Sequence, residues 1–534
     1  MSELYRTLSV MDAVITGSPA TLSLSSQMFF AKSGTLQFQI PTPNIVAVHV
    51  TQSEKVNESH CRVHADVLVL EGCLEDDGRE EADRQAHPVE LKSYEVAYTR
   101  DVKHDSSPLL LPRLPDHLLL PPKDGQGSIH VIISTLSGTQ KAEGFFERCL
   151  KPLLDRLEVP PYDVHRTESP DTISRFTRDI ILPRANQGIK QSIILLSGDG
   201  GIVDIINTLL GQEKMKGDAA IPVIGVIPMG TGNALFNSSC RPRPHPESPS
   251  STEKADSSDR AWDLHEDKTQ GLRTLLFGTP KPLPTFRTAF SPGSTSISYP
   301  SASAASSSPM HTPLPTSHPC SSTTTTPPIL HGCVLTSWCL HASLISLSDT
   351  PRHRAKGRSR FTTAAQTLLQ PPDGSPTHVY RGVVSTLHLS PGSGSGAEEW
   401  RPVREKDGSV RRKHMYILCT LVSHLEENFT ISPDSGVLEG RLRLVSIGDV
   451  GVEEVVRVLG EAYQGGRHVR EGNKGDGVVG YDAVEGVRIE FDEEEAEGTW
   501  RRVCVDGMVV ECPRGGWVEV RMDRGREVVD LVTV

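Results

Sequence analysis

Short apolar runs alternate with segments of helical periodicity between residues 128 and 240 of this 534-residue chain. The apolar runs have the length of buried strands and lie at 129–133, 162–167, 192–196 and 222–227. Between them, apolar residues recur every three or four positions, the pattern of half-buried helices. These helical segments are 144–157, 171–182 and 202–210. Strands and helices in this order predict βαβ units and therefore an open parallel sheet covered on both faces.

Residues 269–534 have a different pattern, because β-rich runs that often alternate apolar and polar residues dominate them. The runs lie at 380–389, 415–423, 437–447, 487–491, 500–505 and 517–522. A short helix is predicted at 269–276, and beyond residue 329 only 452–463 has a helical pattern. We therefore predict an α/β plus all-β fold, in which an open parallel-sheet lobe (128–240) precedes an antiparallel β-sandwich lobe (269–534).

Three other regions complete the predicted organisation. A linker is expected at 241–268, and a disordered insert at about 281–328, where Ser, Thr and Pro dominate. Such a composition offers too few apolar side chains to offset the entropy lost on ordering. Residues 1–127 contain strand-like runs at 45–51, 61–70 and 91–99 and are predicted to form a separate β-containing region.

The charge and cysteine content narrow the class of protein. The 55 basic and 67 acidic residues give a net charge of −12, which argues against a nucleic-acid partner held by phosphate contacts. The ten cysteines form no CxxC pair, and the N-terminus lacks the pattern of a signal peptide. Charged residues interrupt the most apolar stretch of the chain. These features predict a cytoplasmic protein and leave peripheral contact with intracellular membranes open. The 20 histidines show no spacing typical of a metal site.

Two glycine-rich loops follow buried strands of the predicted parallel sheet and precede helices. The first is SGDGG at 197–201 and the second is GTGN at 230–233. Glycines at the carboxyl ends of parallel strands let the backbone approach a phosphate, and the next helix offers free N–H groups. Asp199 would repel a phosphate, so its presence makes sense if it holds Mg²⁺ or accepts a proton from a hydroxyl that attacks the phosphate.

Either glycine loop alone is weak support for a functional site, because a lone GDG is most often a tight turn. The two loops lie about one βαβ unit apart, and both stand at strand-to-helix junctions. Together they indicate a nucleotide-binding site at the carboxyl edge of the sheet.

The segments SGDGGIVDIIN (197–207) and IPMGTGNAL (227–235) resemble the nucleotide-binding loops of the diacylglycerol kinase catalytic-domain superfamily, and are closest to its sphingosine kinase branch. The resemblance runs from about residue 128 to 523, with the Ser/Thr/Pro stretch as an insertion. It implies a nucleotide lobe and a β-sandwich lipid lobe with ATP and Mg²⁺ in the cleft. The activity it implies is ATP-dependent phosphorylation of a primary hydroxyl, with a sphingoid base as the lipid substrate and peripheral contact with a membrane.

The resemblance also implies roles for individual residues. Asp199 corresponds to the catalytic Asp that deprotonates or positions the lipid hydroxyl. Arg360, which precedes Phe361, and Arg354 correspond to basic residues that reach the nucleotide phosphates, although a solvated basic surface is the other interpretation of 352–360. The other residues expected around the nucleotide are Ser134, Ser197, Gly198, Gly200, Gly201, Gly230, Thr231, Gly232, Asn233 and Asp506. No metal ligand is assigned.

Three departures from the family pattern keep other functions open. The first loop, STLSGTQK at 134–141, lacks the usual Asn-Pro, and no acidic residue follows Trp338 before Asp349. The late Asp-Gly-Glu motif ends here in Met508, and Glu511 is the next acidic residue. One alternative is a diacylglycerol or ceramide kinase. The other is a degenerate kinase that binds nucleotide or lipid and has a regulatory role.

Overall fold

The computed structural model describes most of the chain in ordered segments. They are residues 11–15, 18–24, 28–33, 36–41, 44–55, 60–71, 89–101, 110–111, 113–123, 127–135, 137–138, 140–211, 215–240, 266–298, 322–325, 329–354, 356, 359–389, 398–470, 478–495, 498–525 and 527–534. The predicted linker at 241–268 lies outside these segments except at its last residues.

The N-terminal region is one eight-stranded sheet. Its strands are β1 (Met11–Ile15), β2 (Ser18–Leu24), β3 (Met28–Ser33), β4 (Leu36–Pro41), β5 (Ile45–Lys55), β6 (His60–Glu71), β7 (Glu90–Asp101) and β8 (Leu110–Leu111). Their order is β4-β3-β2-β1-β7-β6-β5-β8. The sheet shares a buried apolar core with the α/β unit through residues such as Leu68 and Leu70. The guanidinium of Arg156 also donates to both carboxylate oxygens of Asp66 at 2.8 and 2.9 Å.

The next elements form the α/β unit. Its strands are β9 (Ile129–Ile133), β10 (Asp163–Arg166), β11 (Ser192–Ser197) and β12 (Val223–Pro228). Its helices are α1 (Ala142–Phe145), α2 (Lys151–Arg156), α3 (Thr172–Phe176), α4 (Leu182–Asn186), α5 (Asp199–Leu209) and α6 (Ala234–Ser239). A π-helical turn, Phe146–Leu150, joins α1 to α2, and a second one, Thr177–Ile181, joins α3 to α4. All five residues of β9 are buried, as a strand covered on both faces requires.

The remaining elements lie between residues 266 and 533. The helices are α7 (Glu266–Phe277), α8 (Leu340–Ser348), α9 (Pro351–Arg354), α10 (Arg360–Leu369) and α11 (Val452–Ala462). The strands are β13 (Thr279–Pro282), β14 (Phe286–Phe290), β15 (Thr295–Ser298), β16 (Ser322–Thr325), β17 (Ile329–Gly332), β18 (Leu335–Cys339), β19 (Tyr380–Leu389), β20 (Glu398–Pro402), β21 (Lys413–His414), β22 (Tyr416–Thr420), β23 (His424–Glu426), β24 (Phe429–Thr430), β25 (Leu442–Ile447), β26 (Val479–Val484), β27 (Gly486–Phe491), β28 (Arg502–Val505), β29 (Met508–Glu511), β30 (Trp517–Met522) and β31 (Asp530–Thr533).

The predicted fold class is confirmed. The nucleotide lobe is a six-stranded sheet in the order β10-β9-β11-β12-β31-β13, parallel except for β13. The second lobe has two larger antiparallel sheets, β17-β14-β30-β27-β19-β20 with β21, and β16-β15-β29-β28-β18-β22-β25-β26. Side chains from both of these sheets, among them Phe286, Trp338 and Val518, share one buried core. The second lobe is therefore a sandwich.

The lobe boundary differs from the one expected at residue 269. Helix α7 packs Leu272, Leu275 and Leu276 into the core of the α/β unit. Strands β13 and β31 extend the sheet of that unit, and β31 lies parallel to β12. The polypeptide therefore returns to the nucleotide lobe after it has completed the sandwich.

The prediction of disorder is wrong for residues 281–298 and 322–325, which contribute to β13, β14, β15 and β16. Phe286 and Phe290 enter the sandwich core. The hydroxyl of Thr288 lies 3.3 Å from that of Thr336, so a buried Thr has a polar partner. Residues 299–321 of the predicted insert lie outside the described segments.

The prediction that only 452–463 is helical in the second lobe is also wrong, because α8 and α10 are helices of the same lobe. Their Ser and Thr residues, which are weak helix formers, bond to backbone carbonyls of the helix itself. Ser348 donates to the carbonyl of Ile345, and Thr367 donates to that of Thr363. Among the described helices, none is long and apolar enough to cross a membrane.

Candidate active site

The two glycine loops lie against each other at the carboxyl edge of the parallel sheet. The N–H of Met229 donates to the carbonyl of Ser197 at 3.1 Å, and the N–H of Asp199 donates to the carbonyl of Gly232 at 3.0 Å. A Cβ atom on Gly230 would lie 2.3 Å from the Cα of Gly198. Since backbone atoms cannot move aside as a side chain can, this pair of positions requires glycine.

The second glycine loop is held by hydrogen bonds within the loop and is partly exposed to solvent. Asn233 donates from its side-chain amide to the carbonyl of Gly230 at 3.0 Å and accepts from the N–H of the same residue at 3.3 Å. Thr231 and Gly232 are exposed, as is Gly200 in the first loop. Exposed glycine backbone between braced ends can receive a phosphate.

The last glycine of the first loop packs inward instead. Gly201 is buried, and a Cβ atom on it would lie 2.8 Å from the Oγ of Ser197. Ser197 is itself buried at the end of β11. Ser197 and Gly201 therefore pack under the loop in the protein interior, and neither is exposed to a nucleotide.

The described residues of the altered 134–141 loop, which are 134–135, 137–138 and 140–141, lie next to the two glycine loops. Ser134 is buried, and its hydroxyl bonds to that of Ser137. Gly138 has a φ of 57°, and a Cβ atom there would lie 2.3 Å from the carbonyl oxygen of Met229. The hydroxyl of Thr135 donates to the carbonyl of Thr167, which follows β10, at 2.6 Å. The loop therefore joins the same edge of the sheet without the Asn-Pro of the family pattern.

Asp199 connects the first glycine loop to the helix that follows the second. It is the first residue of α5, and its Oδ2 and Oδ1 accept from the N–H groups of Ala234 and Leu235 at 2.7 and 3.1 Å. These bonds lower its pKa, but burial has the larger effect and raises the pKa to about 6. A carboxylate with this pKa is ionised at neutral pH and is a stronger base than an ordinary Asp.

Asp506 approaches from the sandwich lobe, at the turn between β28 and β29. Its carboxylate accepts from the N–H groups of Cys333 at 2.7 Å and Leu335 at 2.6 Å, and from that of Val334 at 3.2 Å. Burial raises its pKa to about 7 despite these bonds, and the charge of Asp199 adds to the rise. Because these amides occupy its oxygens, Asp506 braces the Cys333–Leu335 backbone beside Asp199 rather than presenting free lone pairs.

The two carboxylates define the charge of the site. Burial raises the pKa of the Cys333 thiol, and the charges of Asp506 and Asp199 both contribute to that rise. Two partly buried like charges near one another favour a cation between or beside them, and Mg²⁺ prefers carboxylate oxygens with water and phosphate. Asp199 has spare lone pairs, so the residues present fit a hydrated Mg²⁺ that would be held through water on one Asp199 oxygen and would leave the other oxygen free to accept a proton.

Arg354 and Arg360 lie together on the adjoining helices α9 and α10. Their guanidiniums pair with Asp349 at 3.5 and 3.3 Å, and that of Arg360 lies 4.6 Å from the ring centroid of Phe361. The charge of Asp349 contributes to the raised pKa of Cys504, two residues before Asp506. Helix α8, which ends just before Asp349, accepts a hydrogen bond at Ser346 from Arg502 of β28, the strand that leads to Asp506, and Asp349 pairs with both arginines.

The carboxylate missing at Met508 is not replaced by Glu511. Met508 pairs with Val505 at the turn end of the hairpin, whereas Glu511 pairs with Arg502 three positions along the strand, a distance of about 10 Å. Glu511 also forms an ion pair with Arg502 at 3.0 Å. The turn therefore carries one carboxylate, that of Asp506.

Two hydrogen bonds that the sequence did not predict join α5 of the nucleotide lobe to β17 of the sandwich lobe. Asn207 of α5 donates to the carbonyl of His331 in β17 at 2.7 Å, and the N–H of His331 donates back to Asn207 at 2.9 Å. The ring Nδ1 of His331 lies 3.0 Å from a carboxylate oxygen of Asp523. The only signal was that Asn207 ends the SGDGGIVDIIN motif, which did not reveal its partner.

The segment after Trp338 presents neutral polar groups. The hydroxyl of Ser337 bonds to Nδ1 of His341 at 2.7 Å, and burial lowers the pKa of His341 to about 4, so this ring is uncharged at neutral pH. The hydroxyl of Tyr380 donates to that of Ser343 at 2.7 Å. The sphingosine kinase pattern has acidic residues in this segment.

Comparison with known proteins relates this part of the chain to one family model. Residues 128–261 match the family model of the diacylglycerol kinase catalytic domain. The match covers β9 to β12 with the three loops that follow β9, β11 and β12. It confirms the resemblance inferred from the glycine loops.

Two of the similar proteins are named sphingosine kinases. Sphingosine kinase 1 of Caenorhabditis elegans is 30% identical over 111 residues, which are 21% of this chain and 22% of that protein. Sphingosine kinase 1 of Arabidopsis thaliana is 27% identical over 112 residues, again 21% and 22% of the two chains. The matched segment thus spans about a fifth of the length of these relatives. A diacylglycerol kinase crystal structure from Bacillus anthracis str. Sterne covers 77% of this chain and 98% of its own, with 10% identity and a TM-score of 0.42.

Proposed function

We propose that the chain is an ATP-dependent lipid kinase that transfers the γ-phosphoryl group to a primary hydroxyl of a sphingoid base. The observation that carries the proposal is the position of Asp199. Its carboxylate stands where the two glycine loops meet, and its charge contributes to the raised pKa of Asp506 in the sandwich lobe. A base at the junction of a phosphate cradle and a second lobe suits transfer between a nucleotide and an acceptor.

The glycine loops are proposed to bind the phosphates of ATP. The exposed backbone of Gly200, Thr231 and Gly232 is accessible to phosphate oxygens. Mg²⁺, when bound beside Asp199, neutralises charge on the phosphates and orients them. Arg354 and Arg360 are proposed to exchange their contact with Asp349 for the transferring phosphoryl group, since a guanidinium matches phosphate oxygens well.

Asp199 is proposed to accept the proton of the lipid hydroxyl. Its pKa of about 6 lies near the operating pH, which suits a general base. The hydroxyl oxygen then forms its bond to the γ-phosphorus as the bond to the β-phosphate bridge breaks, so that ADP leaves. The proton on Asp199 passes to water after the phosphorylated lipid departs.

The acceptor lipid is tested with a panel. Purified full-length chain, Mg–ATP labelled at the γ-phosphate and vesicles containing sphingosine, ceramide or diacylglycerol are incubated in parallel. We expect labelled sphingosine at the highest kcat/KM, and preference for ceramide or diacylglycerol would identify the alternative acceptors. No acidic residue follows Trp338 before Asp349, so these acceptors remain in the comparison. Absence of label on all three lipids would contradict the proposed function.

A second candidate function, binding of nucleotide or lipid without transfer, is favoured by the side chain at Met508. It predicts a rise in Tm with Mg–ATP and no phosphorylation of any lipid. Met508→Glu would return a carboxylate to the turn beside Asp506, and we expect it to raise kcat at least ten-fold if the missing carboxylate limits the reaction. Met508→Gln, which has the same shape without the charge, is the control. Equal rates for the two variants would show that the charge has no role.

A further inference from the structure

A group of metal-ligating side chains lies on strands β9 and β10 of the parallel sheet, outside the glycine loops. It consists of His130 on β9 with Asp163 and His165 on β10. Asp163 is the direct neighbour of His130 in the parallel register, and His165 stands two positions further on, so the three share one face. One potential ligand atom from each lies within 4.8 Å of the others.

The buried nitrogens of this group lack hydrogen-bond partners among the described residues. His130 is 1% exposed, yet neither of its ring nitrogens has a partner, and the buried Nε2 of His165 has none. The nearest carboxylate oxygen, Oδ2 of Asp163, is 3.8 Å from Nδ1 of His130, which is beyond hydrogen-bond distance. Gln191 is close enough to His130 to raise the pKa of its ring through a weak hydrogen bond, but its side-chain oxygen lies outside normal hydrogen-bond geometry with either ring nitrogen. Unsatisfied buried polar atoms are costly, so their convergence points to a ligand.

We propose that His130, Asp163 and His165 bind one divalent transition-metal ion, with Zn²⁺ the best match. Two imidazoles and a carboxylate, completed by water, form a common tetrahedral zinc set. Ligand atoms around tetrahedral zinc lie about 3.3 Å apart, so small side-chain rotations close the group. The side chain of Asp163 is 44% exposed, which provides a route for the ion and for a water ligand.

This site is separate from the phosphoryl-transfer site. His130 is near the amino end of β9, while Ser134 follows its carboxyl end, four residues or about 13 Å further along the strand. The ion would join β10, an edge strand, to β9. Thr167, directly after β10, holds Thr135 of the first loop. The proposed role is therefore structural, because an ion held by His165, two residues before Thr167, would stabilise the end of β10 that holds this loop.

Aromatic packing is the competing explanation for the two histidines. The ring of His165 lies 4.0 Å from that of Phe176, and the ring of His130 lies 5.3 Å from it, measured between centroids. Packing of this kind would need no ion. The two explanations differ in whether replacement of Asp163, which makes no ring contact, changes metal affinity.

The test is a zinc titration of the full chain after treatment with EDTA and its removal, with a chromophoric chelator as competitor. We expect one Zn²⁺ per chain and a Tm rise on the order of 3 °C in excess zinc. His165→Phe, which preserves the ring packing, and Asp163→Asn should each lower zinc affinity at least 100-fold. His388→Phe on β19 is the matched control and should leave it unchanged.

His165 and Asp163 are only partly buried, so we expect both variants to fold. Near-ultraviolet circular dichroism checks the fold of each variant before the titration. Co²⁺ provides a second readout, since its visible absorption is intense only in tetrahedral sites. The proposal is overturned if the wild-type chain binds no zinc, or if His165→Phe and Asp163→Asn bind it as tightly as the wild type. The latter result would place the ion elsewhere on the chain.

Discussion

Asp199→Asn is expected to lower kcat for lipid phosphorylation by about 100- to 10,000-fold, the usual contribution of a general base. An amide cannot accept the hydroxyl proton, and its NH₂ group would face one of the two N–H donors at Ala234 and Leu235. That mismatch also lowers the free energy of unfolding by about 1–3 kcal/mol. The measurement is kcat on the best lipid of the panel, with Tm recorded on the same samples.

The pH dependence of the reaction gives a second readout of the same residue. Because burial raises the pKa of Asp199 to about 6, protonation should reduce kcat as the pH falls through 6. Asp218→Asn, an exposed carboxylate of the same lobe, is the control and should keep the wild-type rate. Mg–ATP should still raise the Tm of Asp199→Asn, which separates lost chemistry from lost binding. A wild-type kcat in Asp199→Asn would rule out its role as the base.

Gly230→Val is expected to abolish detectable Mg–ATP binding and, with it, lipid phosphorylation. Its Cβ would lie 2.3 Å from the Cα and 2.7 Å from the N of Gly198, so the two glycine loops must separate. Overpacking of this kind costs about 1–3 kcal/mol of stability, and here it also displaces Asp199, the next residue after Gly198. The measurement is the Mg–ATP-induced Tm shift followed by the kinase assay.

Gly217→Val is the matched control for the loop variant, because no atom lies within 4 Å of the Cβ position at Gly217. It should show the same nucleotide-induced shift as the wild type. If Gly230→Val also retained the wild-type shift, close contact between the loops would not be required for nucleotide binding.

The local features of the nucleotide lobe were predictable from sequence, whereas the contacts between lobes were not. Strand β9 has the predicted bounds, since a run of β-branched residues between polar ends depends little on distant context. The Gly198–Gly230 contact follows from two loops at one sheet edge. In contrast, Asp506 bonds to Cys333, 173 positions away, through backbone amides whose direction no side-chain pattern records.

The errors also have a physical origin. The segment 281–298 looked unfoldable because Ser, Thr and Pro are frequent there. Its hydroxyls find partners inside the sandwich, as in Thr288 with Thr336 and Ser294 with the carbonyl of Ser291. Composition measures how much apolar surface a segment offers, and it does not show which polar groups a neighbouring sheet will satisfy.

The placement of β31 beside β12 has a consequence for biosynthesis. The hydroxyl of Thr533 donates to the carbonyl of Ser239, a contact between residues 294 positions apart. When β9 to β12 have been translated, β31 has not yet been made. The edge of β12 that β31 later occupies is therefore still exposed. Closure of so long a loop is slow, and an open sheet edge invites aggregation. The β12 edge consequently stays unpaired until the sandwich and β31 have been translated.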